Sequence, residues 1–152
     1  MAPQPFSNPN AGGGVAFTGP TLVVVRAHET GAVFGGYTPL DWAQPAGMMH
    51  RGEPSHSSFV FALRGEQGAP QKWHPKESNH GRHVFCVNGC GPGFGSYGND
   101  LLVQGDCDHY HDNHARLGRS YACEPRGDRR LAGVPKFTVA DYEVFLMPLS
   151  TP

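Results

Sequence analysis

A mostly β fold, a two-layer antiparallel β-sandwich with short peripheral helices, is what this sequence predicts, on three observations. Gly (21) and Pro (14) together make up nearly a quarter of the 152 residues. The longest stretches free of both, Asp106–Leu117 and Lys136–Met147, run only twelve residues. A helical bundle or doubly wound α/β fold needs several uninterrupted helices of about ten or more residues, which this chain cannot supply. Between the turn residues, short β-branched or alternating apolar segments recur through the length of one domain.

The elements follow in order. Residues 1–18 are Pro-, Asn- and Gly-rich, with Gly12-Gly13-Gly14 in the middle, and predict a flexible arm that buries little alone. Residues 19–147 form the domain, and 148–152 a tail. Thr21–Val25 (TLVVV) is continuous and β-branched, as expected of a strand covered on both faces. Glu29-Thr30-Gly31 then turns the chain into Val33–Tyr37 (VFGGY), a hairpin. Gly35-Gly36 inside that strand marks a bulge or a close backbone approach. Ser58–Leu63 puts Phe59, Phe61 and Leu63 on one face. His83–Val87, a turn at Asn88-Gly89 and Asp100–Gln104 come next. The last strand is Thr138–Met147, where Tyr142, Val144 and Leu146 alternate with Glu143, Phe145 and Met147. Six strands of this kind suit a sandwich. Helix is confined to a short turn near Trp42, because Asp106–Leu117 has poor propensity and no apolar stripe.

Charge narrows the function classes. Twelve Lys and Arg against thirteen Asp and Glu leave a net of −1, so no basic field attracts nucleic acid. No apolar run approaches the roughly 18 residues of a membrane span. The first twenty residues hold no Lys or Arg and no continuous apolar segment, unlike a secretory or transit peptide, so the expected location is the cytoplasm. There, Cys86, Cys90, Cys107 and Cys123 are expected to be free thiols, with a disulfide pair as the alternative.

Three motifs bear on chemistry. Gly93-Phe94-Gly95-Ser96-Tyr97-Gly98 spells G-x-G-x-x-G, but a dinucleotide site needs a helix after it. Here Asn99-Asp100-Leu101-Leu102-Val103 reads as a strand, so the glycines are expected to serve a tight crossing beside Phe94. Cys107, His109 and His111 would share one side of an extended segment and suit zinc, with Cys86 as a further soft ligand. No carboxylate completes an H-x-H pattern, since Ala115 and Arg116 stand where Glu would, and a solvated polar loop is the expectation. No G-x-S-x-G elbow occurs, and Ser55, Ser57 and Ser58 beside His56 read as a polar lead into a strand. Neither a bound cofactor nor a catalytic set is expected.

In order along the chain, the strand motifs resemble the TLDc domain. Gly19-Pro20-Thr21-Leu22 resembles that family's G-P-T-L opening, and Val33-Phe34-Gly35-Gly36-Tyr37-Thr38 through Trp42 its V-F-G-G-Y-T-x-x-x-W. Ser57–Leu63 is similar to S-F-L-F-S-L, and Gly91-Pro92-Gly93-Phe94-Gly95 with Asp100–Val103 to G-P-x-F-G…D-I-x-I. Leu117-Gly118-Arg119-Ser120-Tyr121 resembles L-G-x-S-Y, and Phe137-Thr138-Val139 with Tyr142–Phe145 the closing F-x-V-x-x-I-E-V-F. The resemblance implies two antiparallel sheets, a glycine crossing at the G-x-G-x-x-G and a variable loop at the His-rich stretch. Members of that family are not established enzymes; they are associated with resistance to oxidative stress, and several regulate the assembly of the vacuolar proton pump. Family members carry a helical stretch before G-P-T-L, where this chain has its arm, and the chain is expected to stand without accompanying domains. A non-catalytic structural or regulatory subunit of a larger protein assembly is therefore expected, contacting its partner through Ala2–Pro20 and the loops around Trp42, Trp73 and Tyr110. The alternative is a small metal- or thiol-dependent enzyme built on the Cys/His-rich loop.

Overall fold

The computed structural model describes residues 3–4, 19–40, 42, 49–64, 68–79, 81–86, 90–104, 113–124, 127 and 129–147. The strands are β1 (Pro3–Gln4), β2 (Thr21–Ala27), β3 (Val33–Thr38), β4 (Met49–Arg51), β5 (Phe59–Arg64), β6 (Gln71–Trp73), β7 (Val84–Cys86), β8 (Cys90–Phe94), β9 (Leu101–Gln104), β10 (Asn113–His114), β11 (Lys136–Phe137) and β12 (Val139–Leu146). One sheet runs β1-β12-β2-β3-β5-β6 and the other β11-β10-β9-β8-β7-β4, with every pairing antiparallel. Helix among the described residues is a single 3-10 turn, Ser96–Gly98. The mostly β sandwich predicted from turn density is what forms. The turn near Trp42 and that at Asn88-Gly89 fall largely or wholly outside the described residues.

The alternation in each central strand decides which residues meet between the sheets. Val23, Val25 and Ala27 of β2, Phe34 of β3, Val60 and Ala62 of β5 and Val144 of β12 supply one wall of the core. Val84, Phe94, Leu101, Val103 and Phe137 supply the other. Phe34 meets Phe137 edge-on across the gap, ring centroids 5.1 Å apart. In β5 the larger face is turned outward: Val60 and Ala62 enter the core, while Phe59, Phe61 and Leu63 line the outer surface of the sheet.

Gly36 explains how close the layers come. A Cβ at this position would lie 2.6 and 2.7 Å from Phe94 Cε2 and Cε1, so Phe94 occupies the space a side chain would need. Phe94 is fully buried and packs edge-on against Trp42, 5.8 Å away. Trp42 is core, not contact surface; its Nε1–H donates to Thr21 Oγ1 at 2.6 Å, which satisfies the one polar atom of a buried indole. The strands that composition did not announce, β1, β4, β6, β8, β10 and β11, are five residues or fewer. β8 is Cys-Gly-Pro-Gly-Phe, and its register against β9 shifts between Cys90 and Gly93, where a bulge accommodates Pro92.

Candidate functional site

Cys107, His109, His111 and Tyr110 lie outside the described residues. Cys86 ends β7 opposite Met49, and Cys90 begins β8 opposite Gln104. No group of three His, Cys, Asp or Glu able to hold a metal occurs among the described residues. Cys123 is a buried thiol in no disulfide. Burial pushes its pKa up, Arg130 opposes that and Asp100 and Glu124 add to it, so the protonated thiol is favoured. Trp73 packs against the core from its margin.

The polar groups that are described converge on one buried network. Asp100 is fully buried just before β9. Its Oδ1 accepts from the Ser120 amide at 2.8 Å; its Oδ2 accepts from Gly118, Arg119 and Tyr121 at 3.0, 3.1 and 3.0 Å. One carboxylate thus folds a four-residue loop around itself. Burial pushes the Asp100 carboxyl above its usual range, and the four amides pull it only part of the way back. Tyr121, buried beside it, donates its hydroxyl to the His83 carbonyl at 2.7 Å. Within the His83 ring, Nε2–H donates to the Asn79 carbonyl at 2.8 Å and Nδ1 accepts from the Glu53 amide at 3.2 Å. Both ring nitrogens are therefore committed to backbone.

Glu53 plays the same part for Ser55–Ser58. Its Oε1 accepts from the amides of Ser57 (2.6 Å) and Ser58 (3.2 Å), and its Oε2 from the Ser55 amide (2.8 Å) and hydroxyl. Burial alone would push its pKa up, but the Ser55 hydroxyl and the amides of Ser58, Ser57 and Ser55 hold it below its ordinary value of 4.5. A depressed folded value stabilises the fold above the unfolded pKa, and that contribution disappears as pH falls through the folded one. Glu53→Gln is accordingly expected to lower the melting temperature at neutral pH and to flatten its decline between about pH 5 and 3. Equal acid sensitivity in both proteins, measured by thermal unfolding across that range, would assign the decline elsewhere. These carboxylates and imidazoles hold loops, chiefly through backbone amides and carbonyls.

What the network positions is an exposed aromatic. Gly95 (φ 92°) and Gly98 (φ 68°) let the chain double back after β8. Between them Tyr97 adopts φ 54°, a conformation that costs a non-glycine residue roughly 1–2 kcal/mol, yet its side chain is 52% exposed. Four side chains clamp the turn. Ser120 Oγ accepts the Ser96 amide (2.8 Å), and His50 Nε2 accepts the Tyr97 amide (2.9 Å). His114 Nε2–H donates to the Gly98 carbonyl (2.9 Å), and Arg82 Nη1 to Ser96 Oγ (2.9 Å). The His50 ring packs against Phe85 and edge-on to Tyr97, with centroids 5.0 and 4.7 Å apart. Burial, then Arg82, lowers the His50 pKa, which keeps Nε2 in the neutral, accepting form. The Arg82 guanidinium stands 5.8 Å from the Tyr97 ring centre. Exposed Tyr97 and Arg82, backed by half-buried His50 and buried Phe85, thus make a preorganised aromatic and cationic patch on the outer side of the second sheet.

In the sequence this patch was hidden inside the G-x-G-x-x-G. The glycine crossing predicted there is present, since a Cβ on Gly93 would meet the Phe85 carbonyl at 2.9 Å and no helix follows. The overlooked signal is Tyr97 itself, a large aromatic enclosed between Ser96 and Gly98 in a turn that leaves it no route to the core. The family model of the TLDc domain matches residues 14–147. No curated protein matches the chain.

Proposed function

The chain belongs to the TLDc family, and on that premise we propose that it is a non-catalytic protein-interaction module, a small structural or regulatory subunit of a larger assembly. The observation that carries this reading is Tyr97: an exposed aromatic held at a conformational cost by four side chains, beside an arginine. Strain retained at the surface is a mark of function, because the fold gains nothing from it. Tyr and Arg are also the residue types that dominate binding energy at interfaces, and a clamped side chain loses little entropy on association. The family's association with oxidative-stress protection and with assembly of the vacuolar proton pump supplies the class of assembly we propose, with the protein acting in the cytoplasm. No helix among the described residues is long and apolar enough to cross a membrane.

Substituting Tyr97→Gly separates binding from folding. Glycine accepts φ 54° without strain, so the melting temperature is expected to stay level or rise slightly. Co-migration with the native assembly in size-fractionated cell extract is expected to fall at least tenfold, as for the loss of a hot-spot residue. Undiminished co-migration of the Tyr97→Gly protein would remove Tyr97 as the contact.

A further inference from the structure

On the opposite side of the molecule, the outer face of the first sheet carries a groove of about 440 Å³ lined by Leu22, Val24, Phe59, Phe61, Leu63 and Pro70, with Lys72 at its margin. Gly35 stands between Val24 and Phe61 in register. A Cβ there would lie 2.9 Å from Phe61 Cζ, so the missing side chain is what lets the Phe61 ring lie down across the sheet. Leu63 is 45% exposed.

The neighbouring edge does not suit an added strand. β6 is three residues long, and Pro70 before it has no amide to donate. Immediately beyond it, the His74 carbonyl and the Lys76 amide are taken by Ala122 and Ser120 at 2.8 and 3.0 Å. On the face itself Leu63 and Lys72 are exposed, Leu22, Val24 and Phe59 half-buried, and Phe61 buried. From β2 to β6 the face spans three inter-strand spacings, about 14 Å, against roughly 10 Å for an α-helix with its side chains. Its two margins differ in charge. Lys72 lies over the Phe59 ring at 5.1 Å, with the His74 ring 5.7 Å from the same Phe, and Lys72 meets no carboxylate among the described residues. On the other margin Glu143, exposed on β12, stands opposite Val24, and exposed Asp141 stands opposite Arg26, so two carboxylates face one guanidinium there.

We infer that this groove docks an amphipathic helix of a partner protein, its apolar stripe on Phe59, Phe61 and Leu63 and its acidic flank against Lys72. The opposed charges of Lys72 and Glu143 orient it, since a basic flank facing Lys72 would be repelled. The surface is distinct from the Tyr97 patch, so either can fail without the other.

The probes are two fluorescent, side-chain-stapled 18-residue helices with one leucine stripe. One carries Glu on the flank that would face Lys72 and Lys on the other flank; its counterpart carries the same residues with the two flanks exchanged. Binding to the full chain is read by fluorescence anisotropy and the oligomeric state by sedimentation. The first helix is expected to bind at least tenfold more tightly than its counterpart. Lys72→Glu should reverse that order, and Leu63→Arg should abolish binding of both. Tyr97→Gly should leave binding unchanged. Leu63 and Lys72 are exposed, so neither substitution threatens the fold, which circular dichroism verifies. Failure of both helices to bind, equal binding of the two, or indifference to Lys72→Glu would overturn the proposal. A dimer that Leu63→Arg dissolves would overturn it in favour of a second copy. Binding that appears only after residues 5–18 are deleted would overturn it in favour of the chain's own arm.

Discussion

Asp100→Ala is expected to cost about 4 kcal/mol of folding stability, a large share of the roughly 5–15 kcal/mol that holds a domain together. The substitution leaves the amides of Gly118, Arg119, Ser120 and Tyr121 without their acceptor. An unsatisfied buried donor costs about 1–3 kcal/mol, and water entering the vacated space recovers part of the sum. For a domain of this size the melting temperature should fall by roughly 8–16 °C. The contribution comes from the acceptor oxygens, whose four amide bonds offset part of the cost that burial imposes on the carboxylate. Asp100→Asn keeps one oxygen, which in the Oδ2 position serves three of the four amides, and should cost only about 1–2 kcal/mol. Denaturant and thermal unfolding of the three proteins test the ordering. A loss below about 1 kcal/mol in Asp100→Ala would mean that the loop finds other acceptors. The same substitution should loosen Tyr97, since Ser120, which anchors the Ser96 amide, is itself held by Asp100.

The second large effect is expected at Gly36. Adding one methyl group in Gly36→Ala forces it against the Phe94 ring at under 3 Å. Phe94 cannot retreat, because it is fully buried between Trp42 and Tyr121, with ring centroids 5.8 and 6.5 Å away. Overpacking of this kind costs about 3 kcal/mol. Gly31→Ala makes the contrast: its φ is +73° but nothing lies within 4 Å of the added Cβ, so only the conformational cost of about 1–2 kcal/mol applies. Pairing Gly36→Ala with Phe94→Leu should recover part of the loss, a coupling that a double-mutant cycle measures by chemical denaturation. Strict additivity of the two single substitutions would show that the methyl is accommodated elsewhere.

The candidate site was legible only in part. The glycines of Gly93–Gly98 announced a crossing because the residues after them read as a strand and not as a helix. Tyr97 was passed over because its exposure and its clamp come from residues far away in the chain: His50, Arg82, His114 and Ser120. The sequence offers the loop around Trp42 as a contact surface; the indole is core because Thr21, twenty-one residues earlier, supplies a hydroxyl that receives its N–H. The Cys/His-rich segment Cys107–His111 lies outside the described residues.

By itself the sequence determined the class of fold and its central strands. Turn residues cap the length of every element, and β-branched alternation sets β2, β3, β5 and β12, both of which are local properties of the chain. Family membership was likewise legible, since ordered motifs survive without coordinates. Only the tertiary structure decided which face of β5 turns inward, that Asp100 is a hub for four amides, and that Tyr97 stands clamped in the open. Those outcomes depend on contacts between residues distant in sequence, and the energy of such a contact is written in neither partner alone.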